Sequence, residues 1–370
     1  MSLLLMVCAD ALAGTADSTK LSFAYDVNFE TRFDNREFSK SRYSSSMTIF
    51  GAHFTPSIGI SVEQPGNLRH KVMLGFDMMS DFGVSQDSTK LLHELTFWYQ
   101  LEKKIGRTVL GLQAGIFPRS EMKAHYSEAF FSDSLKFYDE NLEGMILKLQ
   151  RPKAYFELGC DWMGRYDRYT RERFMVFSGG GGKILPFLSI GYAAYMYHFA
   201  NSGTVKGVVD NFLLNPYVLL DFSKMTGLQK LSLRAGWLET MQNDRVNIGH
   251  YMFSGGADVE LDVRHWNAGI RNVLYYGNSL MPLYNIHDKG GNKYGNILYP
   301  GDPFYRVNDD GTFESGLYDR VEAYYDLNLN DFLKLRVTGA FHFTHKKYAG
   351  CQQIVHLLFN LHELTDRNNR

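Results

Sequence analysis

A histidine and a serine in one short stretch are the first candidates for chemistry in this sequence. His198 and Ser202 lie close together, and a serine hydrolase needs its serine within hydrogen-bond reach of a histidine that a third group orients. However, His198 alternates with Ala194 and Met196, which places it on an apolar face of its segment. We therefore interpret His198 as a polar residue on an apolar face and not as a catalytic base.

Two acidic motifs are the next candidates, because carboxylates can serve as acids, bases or metal ligands. Asp258, Glu260 and Asp262 form a ladder that descends one segment and does not converge on a histidine. Residues 308–311 could offer oxygen ligands to Ca²⁺, although a plain Asp-Gly turn is the commoner meaning of such a sequence. Without a convergent set, the sequence predicts no enzyme, no metal site and no cofactor.

Four consecutive glycines at 179–182 resemble a phosphate-binding loop only superficially. Lys183 follows them, but Ile184 stands where that loop requires Ser or Thr, and no helix is predicted after it. We predict a turn here.

The segments that must position these residues share one pattern. In residues 21–33 large apolar side chains alternate with small, polar or charged ones. A period of two predicts a β-strand. This strand is long enough for a tilted strand that crosses a bilayer, which needs roughly 9–11 residues.

The same alternation recurs along the chain, with charged residues on the face opposite the apolar one, and it predicts sixteen strands. The predicted spans are 21–33, 46–63, 70–81, 91–101, 107–117, 141–150, 154–166, 172–179, 187–199, 210–222, 228–240, 251–263, 266–276, 318–329, 332–344 and 352–361. Alternate connections are short, whereas the others include long loops at 119–140 and 277–316. This asymmetry and an even strand count predict an all-β fold, a transmembrane antiparallel β-barrel with long extracellular loops and short periplasmic turns.

Composition agrees with a barrel of this kind. The chain has 370 residues, a net charge of −1, 21% charged and 15% aromatic residues, and a mean hydropathy of −0.26. A near-zero charge without a basic run argues against nucleic acid as a partner. A barrel tolerates modest hydropathy, because half of each strand is polar.

The predicted domain is a single barrel over residues 21–361. Residues 1–13 look like the remnant of a secretory signal, because an apolar run precedes an Ala-Leu-Ala cleavage site. Residues 14–20 form a short N-terminal segment and residues 362–370 a polar tail. Cys160 and Cys351 are far apart and are predicted to be isolated thiols.

Over residues 20–361 the chain resembles the porin class of outer-membrane β-barrels of Gram-negative bacteria. The likeness rests on the sixteen alternating spans, the signal remnant and the apolar final strand at 354–361, and includes no family-specific motif. Such chains usually end on an aromatic residue, whereas here a polar tail follows. The resemblance implies a location in the bacterial outer membrane, contact with its lipid and with the barrel-assembly machinery, and leaves open whether the barrel forms a homo-oligomer.

Charges of both signs are predicted to face the lumen, because they occupy the face opposite the apolar one. The predicted pore-lining residues are Asp26, Glu30, Arg32, Glu94, Asp161, Arg165, Arg234, Asp258, Arg271, Glu322, Asp326 and Arg336. Two cross-strand pairs are expected from turn lengths: Asp258 with Arg271, and Asp326 with Arg336.

The loop at 119–140 is predicted to fold inward and constrict the pore, since a barrel of this size is otherwise wide. An apolar patch at 129–131 would anchor it. In the alternative, this loop stays outside and the 277–316 loop constricts the pore through Asp302, Arg306, Asp309 and Asp310. The predicted constriction-loop residues are Arg119, Glu121, Lys123, Glu128, Asp133 and Lys136.

The function that these features favour is passive diffusion of small hydrophilic solutes through the pore. Two alternatives remain open at this point. The aromatic segment 294–306 could bind a protein or glycan at the surface, as in a secretion-associated barrel, or it could be a lid packed over the barrel mouth. An outer-membrane hydrolase is the less favoured alternative.

Overall fold

The structure is a computed structural model that describes residues 19–39, 41–84, 91–307, 315–345 and 347–362. The predicted signal remnant at 1–13, residues 14–18 of the short N-terminal segment, the turn at 308–311 and all but the first residue of the tail 362–370 lie outside these ranges. None of the described helices is long and apolar enough to cross a membrane.

Sixteen antiparallel strands close into a barrel in which each strand pairs with its neighbours in sequence and β1 pairs with β16. The strands are β1 (Lys20–Glu37), β2 (Met47–Gln64), β3 (Leu68–Asp81), β4 (Leu92–Ile105), β5 (Thr108–Pro118), β6 (Asn141–Arg151), β7 (Ala154–Gly164), β8 (Arg173–Leu185), β9 (Leu188–Phe199), β10 (Val209–Asp221), β11 (Lys230–Asp244), β12 (Met252–His265), β13 (Ala268–Gly277), β14 (Gly316–Asn328), β15 (Leu333–Thr344) and β16 (Lys347–His362). Short helical segments occupy Arg119–Glu121, Asp133–Tyr138, Ser223–Thr226, Gly295–Leu298 and Pro303–Arg306. The predicted fold class and strand number are confirmed.

The apolar and polar residues that alternate in the sequence lie on the outer and inner faces of the barrel wall, respectively. On β2, His53, Ser57 and Ser61 are buried inside the barrel, whereas Ile58 and Ile60 are 57% and 53% exposed on the outside. Large apolar side chains on the outer face suit a hydrocarbon environment, and polar side chains on the inner face suit a lumen.

The two ends of the barrel differ. At one end the connections are short turns, the longest of which carries the helix Ser223–Thr226. At the other, the long-loop end, two loops are much longer than the rest. We call residues 119–140 the inner loop and residues 278–307 the cap loop.

The glycines at 179–182 do not form the predicted turn. They continue β8 and pair with both β7 and β9, and the turn comes later, at 186–187. Rings from the neighbouring strands occupy the space that side chains would fill: a Cβ at Gly181 would lie 3.0 Å from the Tyr155 ring, and one at Gly180 would lie 3.1 Å from the Tyr192 ring. The glycine run therefore accommodates aromatic neighbours within a strand.

One of the two predicted cross-strand pairs is confirmed. Asp326 lies opposite Arg336, and the guanidinium donates hydrogen bonds of 2.6 and 2.9 Å to the carboxylate. The pairing of Asp258 with Arg271 is wrong, since Asp258 lies opposite Tyr275. Strand β12 runs on to His265, which moves the turn towards the C-terminus and shifts the register.

Candidate functional site

The inner loop turns into the barrel directly after β5. Arg119, at its start, is buried and donates a 3.0 Å hydrogen bond to Asp161 on β7 and another to the carbonyl of Asn141. The backbone N–H groups of Lys123 and Ala124 then donate to the Glu157 carboxylate, at 2.7 and 2.9 Å. Acidic side chains of the inner wall thus hold the first half of the loop.

The second half of the loop reaches β13 and β14, far around the barrel from its β5 and β6 attachments. Glu128 accepts two hydrogen bonds from Arg271, at 2.8 and 2.9 Å, and Asp133 accepts one from Arg320 at 3.0 Å. Hydrogen bonds between a guanidinium group and a carboxylate are strong because both groups are charged, and they fix the position of the carboxylate. The inner loop is therefore attached to the barrel wall near its start, on β7, and again at its middle, on β13 and β14.

These ion pairs govern the titration of the loop carboxylates. Burial alone would raise the pKa of Glu128, but the Arg271 guanidinium outweighs it and the pKa lies well below its usual range. The pKa of Asp133 is lowered in the same way, with Arg320 and Arg32 opposing burial. Both carboxylates therefore remain ionised in the docked loop at neutral pH.

Apolar contacts support the same arrangement. Phe130 and Phe131 are buried, and both pack against Tyr126, with Phe130 also edge-on to Tyr195 of β9. Arg119 stacks over the ring of Phe131. The patch predicted at 129–131 thus lies inside the barrel.

The cap loop packs on the inner loop and covers part of the mouth. The N–H of Ser132 donates to the carbonyl of Pro300, and the N–H of Asp302 donates to the carbonyl of Glu128. Tyr294, Tyr299, Phe304 and Tyr305 of the cap loop are buried. They consequently form a packed lid and do not offer an aromatic surface to a partner.

Two cavities open onto the inner face of β1. The first, about 730 Å³, lies at the long-loop end and is bordered by Arg36, Tyr138 and Arg306. The second, about 550 Å³, lies towards the short turns and is bordered by Asp26 and Lys71. Both cavities carry charges of each sign.

Beside the cavity near the short turns, five side chains form a cluster that we call the neck, consisting of Glu30, Arg32, His53, Phe137 and Glu140. Phe137 is buried and stacks on the His53 ring at a centroid distance of 5.0 Å, and the Arg32 guanidinium lies over the Phe137 ring, 5.9 Å from its centroid. Glu30, His53 and Glu140 border the cavity near the short turns. The neck joins β1 and β2 to the inner loop.

Most residues predicted to line the pore lie on the inner face and belong to charge networks. Arg234 bonds Glu260 at 2.7 Å and lies 3.8 Å from Asp258, so a basic partner faces the carboxylate ladder. Glu322 lies beside Arg320 and Arg271, at 2.7 and 3.5 Å. Glu94 accepts from Asn141 at the long-loop end. Their role in permeation stays a prediction.

Arg165 is an exception, because β7 ends at Gly164 and Arg165 is exposed in the following loop. Its assignment to the pore wall is therefore wrong. The strand ends two residues earlier than the sequence pattern indicated.

The remaining predicted loop residues occupy different positions. Glu121 pairs with Lys148 at 3.0 Å, Lys123 bonds Gln150, and Lys136 is exposed. The candidate hydrolase pair, which the sequence pattern had argued against, is not assembled: His198 packs on Phe174 on the outer face, while buried Ser202 bonds within its own loop. Among the residues that the structure describes, no serine hydroxyl is hydrogen-bonded to a histidine ring.

Sequence reasoning did not single out the neck. His53 was recognisable only as one polar residue on the inner face of β2, and nothing local relates it to Glu140, which lies far along the chain. The meeting of β1, β2 and the end of the inner loop depends on barrel closure and loop direction, which have no sequence signature.

Solved outer-membrane structures from Pseudomonas aeruginosa resemble the fold over nearly its whole length. OprD is 12% identical, with a TM-score of 0.52, covering 92% of this chain and 94% of that one. OpdL is 12% identical, with a TM-score of 0.50, covering 94% and 99%. OccK3 (OpdO) is 9% identical, with a TM-score of 0.50, covering 92% and 96%. The fold is thus that of a porin-like barrel, as the resemblance in sequence pattern implied.

The sequence also matches the lipid A 3'-O-deacylase-type family over residues 14–203, just over half of the chain. This chain belongs to the lipid A 3'-O-deacylase-type family. Comparison with curated proteins gave no match.

The family is of an enzyme type, so the prediction that the chain is not an enzyme is wrong. That prediction relied on the lack of a convergent catalytic set in the linear sequence. In a closed barrel, however, strand pairing decides which side chains converge, and residues distant in sequence can meet.

Proposed function

We propose that the protein is an outer-membrane channel for passive diffusion of small hydrophilic solutes. The observation that carries this proposal is the pair of charged cavities that open onto the inner face of β1. A barrel of this strand number encloses an aqueous channel unless loops fill it. Here the inner and cap loops fill one side and leave space along β1.

A mixture of charges suits solutes that are polar and small without selecting one sign strongly. Arg36 and Arg306 border one cavity together with Asp133 and Asp302. Lys71 and Lys148 border the other together with Glu121 and Glu140. Selectivity would then depend on the carboxylates of the neck, which border the cavity near the short turns.

Replacing Phe137 with Ala is expected to raise single-channel conductance in a planar bilayer, because its ring stacks on His53, which borders one cavity, and the adjacent Tyr138 borders the other. This change is a sharper test than deletion of residues 127–135, since the deletion would also leave Arg271 and Arg320 without their loop carboxylates. Phe341→Ala, on the exposed outer face of β15, is the matched control and should leave conductance unchanged. A wild-type protein that is folded but silent would contradict the channel.

Deacylation of lipid A is the second candidate function, and the family match favours it. Within the matched residues, His93 lies at the long-loop end of β4, where it alternates with the exposed Leu95 and Phe97. Its Nδ1 is 3.7 Å from the carboxylate of Asp77, whose side chain is 1% exposed, while that of His93 is 47% exposed. A histidine supported by a buried carboxylate can act as a general base, and its contact can tighten when substrate binds.

In such a reaction His93 would take a proton from the water that attacks the ester carbonyl and return it to the departing alkoxide, leaving a free fatty acid and a hydroxyl group. Purified protein should then release fatty acid from lipid A in detergent, and His93→Gln should reduce the rate about 10²- to 10⁴-fold. His198→Gln is the control, because His198 also faces outward but packs on Phe174. Equal rates for wild type and His93→Gln would eliminate His93 as the base.

A further inference from the structure

Three side chains of the neck bring metal-binding atoms together. Glu30 on β1, His53 on β2 and Glu140 at the end of the inner loop each offer a nitrogen or oxygen atom, and these atoms lie within 4.8 Å of one another. The His53 Nδ1 is 3.7 Å from a carboxylate oxygen of Glu140. Three separate elements of the chain therefore converge on one point.

The environment of His53 distinguishes this cluster from an ordinary group of acidic side chains. Its side chain is 1% exposed, and neither ring nitrogen has a hydrogen-bond partner among the described residues. A buried polar group without a partner is costly, and such a group usually indicates a ligand or water at the site. Its Nδ1 is directed towards Glu140, inside the cluster.

The surroundings of the three side chains resemble the outer shell of a metal site. The Nε2 of His53 lies 4.0 Å from Asp77, which accepts a hydrogen bond from Asn141. A histidine that binds a metal through one nitrogen commonly gives the N–H of the other to a carboxylate. Glu30 is likewise oriented by His356, at 2.8 Å, and the stacked Phe137 restricts the His53 ring.

The Arg32 guanidinium of the neck pairs outside the cluster. Arg32 lies 3.4 Å from Asp34 and 4.0 Å from Asp133, neither of which is one of the three side chains. The Glu30 and Glu140 carboxylates consequently face His53 without an intervening guanidinium.

The geometry points to a binding site for a divalent cation of the zinc class, formed by Glu30, His53 and Glu140. One imidazole nitrogen and two carboxylate oxygens suit Zn²⁺ or Co²⁺, whereas Ca²⁺ needs six or more oxygens. Tetrahedral ligands at zinc distances lie about 3.3 Å apart, so the cluster must contract by about 1.5 Å at most. The fourth position would open to the cavity near the short turns.

Such an ion would connect the barrel wall to the inner loop. Glu30 and His53 belong to paired strands, whereas Glu140 belongs to the loop. A bound ion would hold the neck closed and reduce conductance. This consequence rests on the proposed channel function, but the binding of the ion does not.

Titration of the folded protein in detergent with Co²⁺ tests the site directly, because bound Co²⁺ gives visible absorption bands that report its ligands. We expect one Co²⁺ per chain, displaced by Zn²⁺. Asp77→Asn should weaken binding about 10- to 100-fold, and His53→Gln should weaken it more, because it removes a ligand. Glu140→Gln, a change in the loop, provides a second test if the strand variant folds poorly.

His125→Gln is the matched control. His125 also lies beside a lumenal carboxylate, Glu260 at 3.4 Å, but Arg234 and Arg271 already neutralise that group. Affinity unchanged by both His53→Gln and Glu140→Gln, or lost equally in His125→Gln, would overturn the site. Zn²⁺ added to the bilayer measures the second step: bound metal without a change in conductance would refute the effect on the channel and leave the site intact.

Discussion

Replacing Arg271 with Ala should detach the inner loop and lower the free energy of unfolding by about 3–5 kcal/mol, the range found when one partner of a buried ion pair is removed. Arg271 contacts Glu128 at 2.8 Å, Glu260 at 3.2 Å and Glu322 at 3.5 Å. Glu260 and Glu322 keep other arginines, but Glu128 loses both of its hydrogen bonds from Arg271. A buried carboxylate left in this state favours release of the loop.

Urea denaturation in detergent, followed by the mobility shift between folded and unfolded barrel, measures the change in stability. Arg336→Ala is the matched control: its pair with Asp326 is half exposed, and a cross-strand pair of this kind contributes about 0.2–1 kcal/mol. A loss for Arg271→Ala no larger than that for Arg336→Ala would show that the lumenal network does not hold the loop.

The same network gives an expected dependence on pH. Because the pKa values of Glu128 and Asp133 are lowered in the docked loop, their stabilising contribution is fully present above the ordinary carboxyl pKa of about 4. It is lost as the pH falls through the lower, folded-state pKa values. Docking measured by conductance should therefore persist at pH 5 and weaken only in stronger acid.

A positive charge on the outer face of the barrel should lower the free energy of unfolding nearly as much as Arg271→Ala does. Val337 lies in the middle of β15 and is 45% exposed on the apolar outside. Val337→Lys should lower the free energy of unfolding by about 2–4 kcal/mol in a bilayer, the cost of a lysine near the membrane midplane.

Two controls place that lysine elsewhere. Leu329→Lys, in the turn between β14 and β15, should cost about 0–1 kcal/mol, since the cost falls towards the interface. Asn28→Lys lies beside the cavity near the short turns and should be tolerated. Equal costs at all three positions would mean that the outer face is not in contact with lipid.

Features with a local, repeated signal could be predicted from the sequence. The alternation of apolar and polar residues identified every strand, because whether a side chain faces lipid or the lumen depends on its position in the strand and not on distant contacts. The Asp326–Arg336 pair followed from one short turn. The turn between β12 and β13 was predicted too early in the chain, since it follows His265. The predicted pairing of Asp258 with Arg271 was wrong for that reason.

Errors arose where the environment of a residue comes from other strands. The glycines at 179–182 look like a turn in isolation, and only the rings of Tyr155 and Tyr192 explain why they continue a strand. The neck joins Glu30, His53 and Glu140 across long sequence separations. The enzyme family could not be recognised from motifs, because a barrel assembles its side chains by strand pairing.

The pairing of β1 with β16 has a consequence for how the barrel forms. All other pairings join strands adjacent in sequence and can grow as successive hairpins, whereas this one joins the two ends of the chain and carries the largest loss of chain entropy. Inward-facing polar contacts mark its alignment: Glu30 with His356, Asn28 with Asn360, and Asp34 with Gln352. A slip by one residue would break these contacts and turn the polar groups of one of the two strands towards lipid, so the contacts select the correct alignment during the final closure.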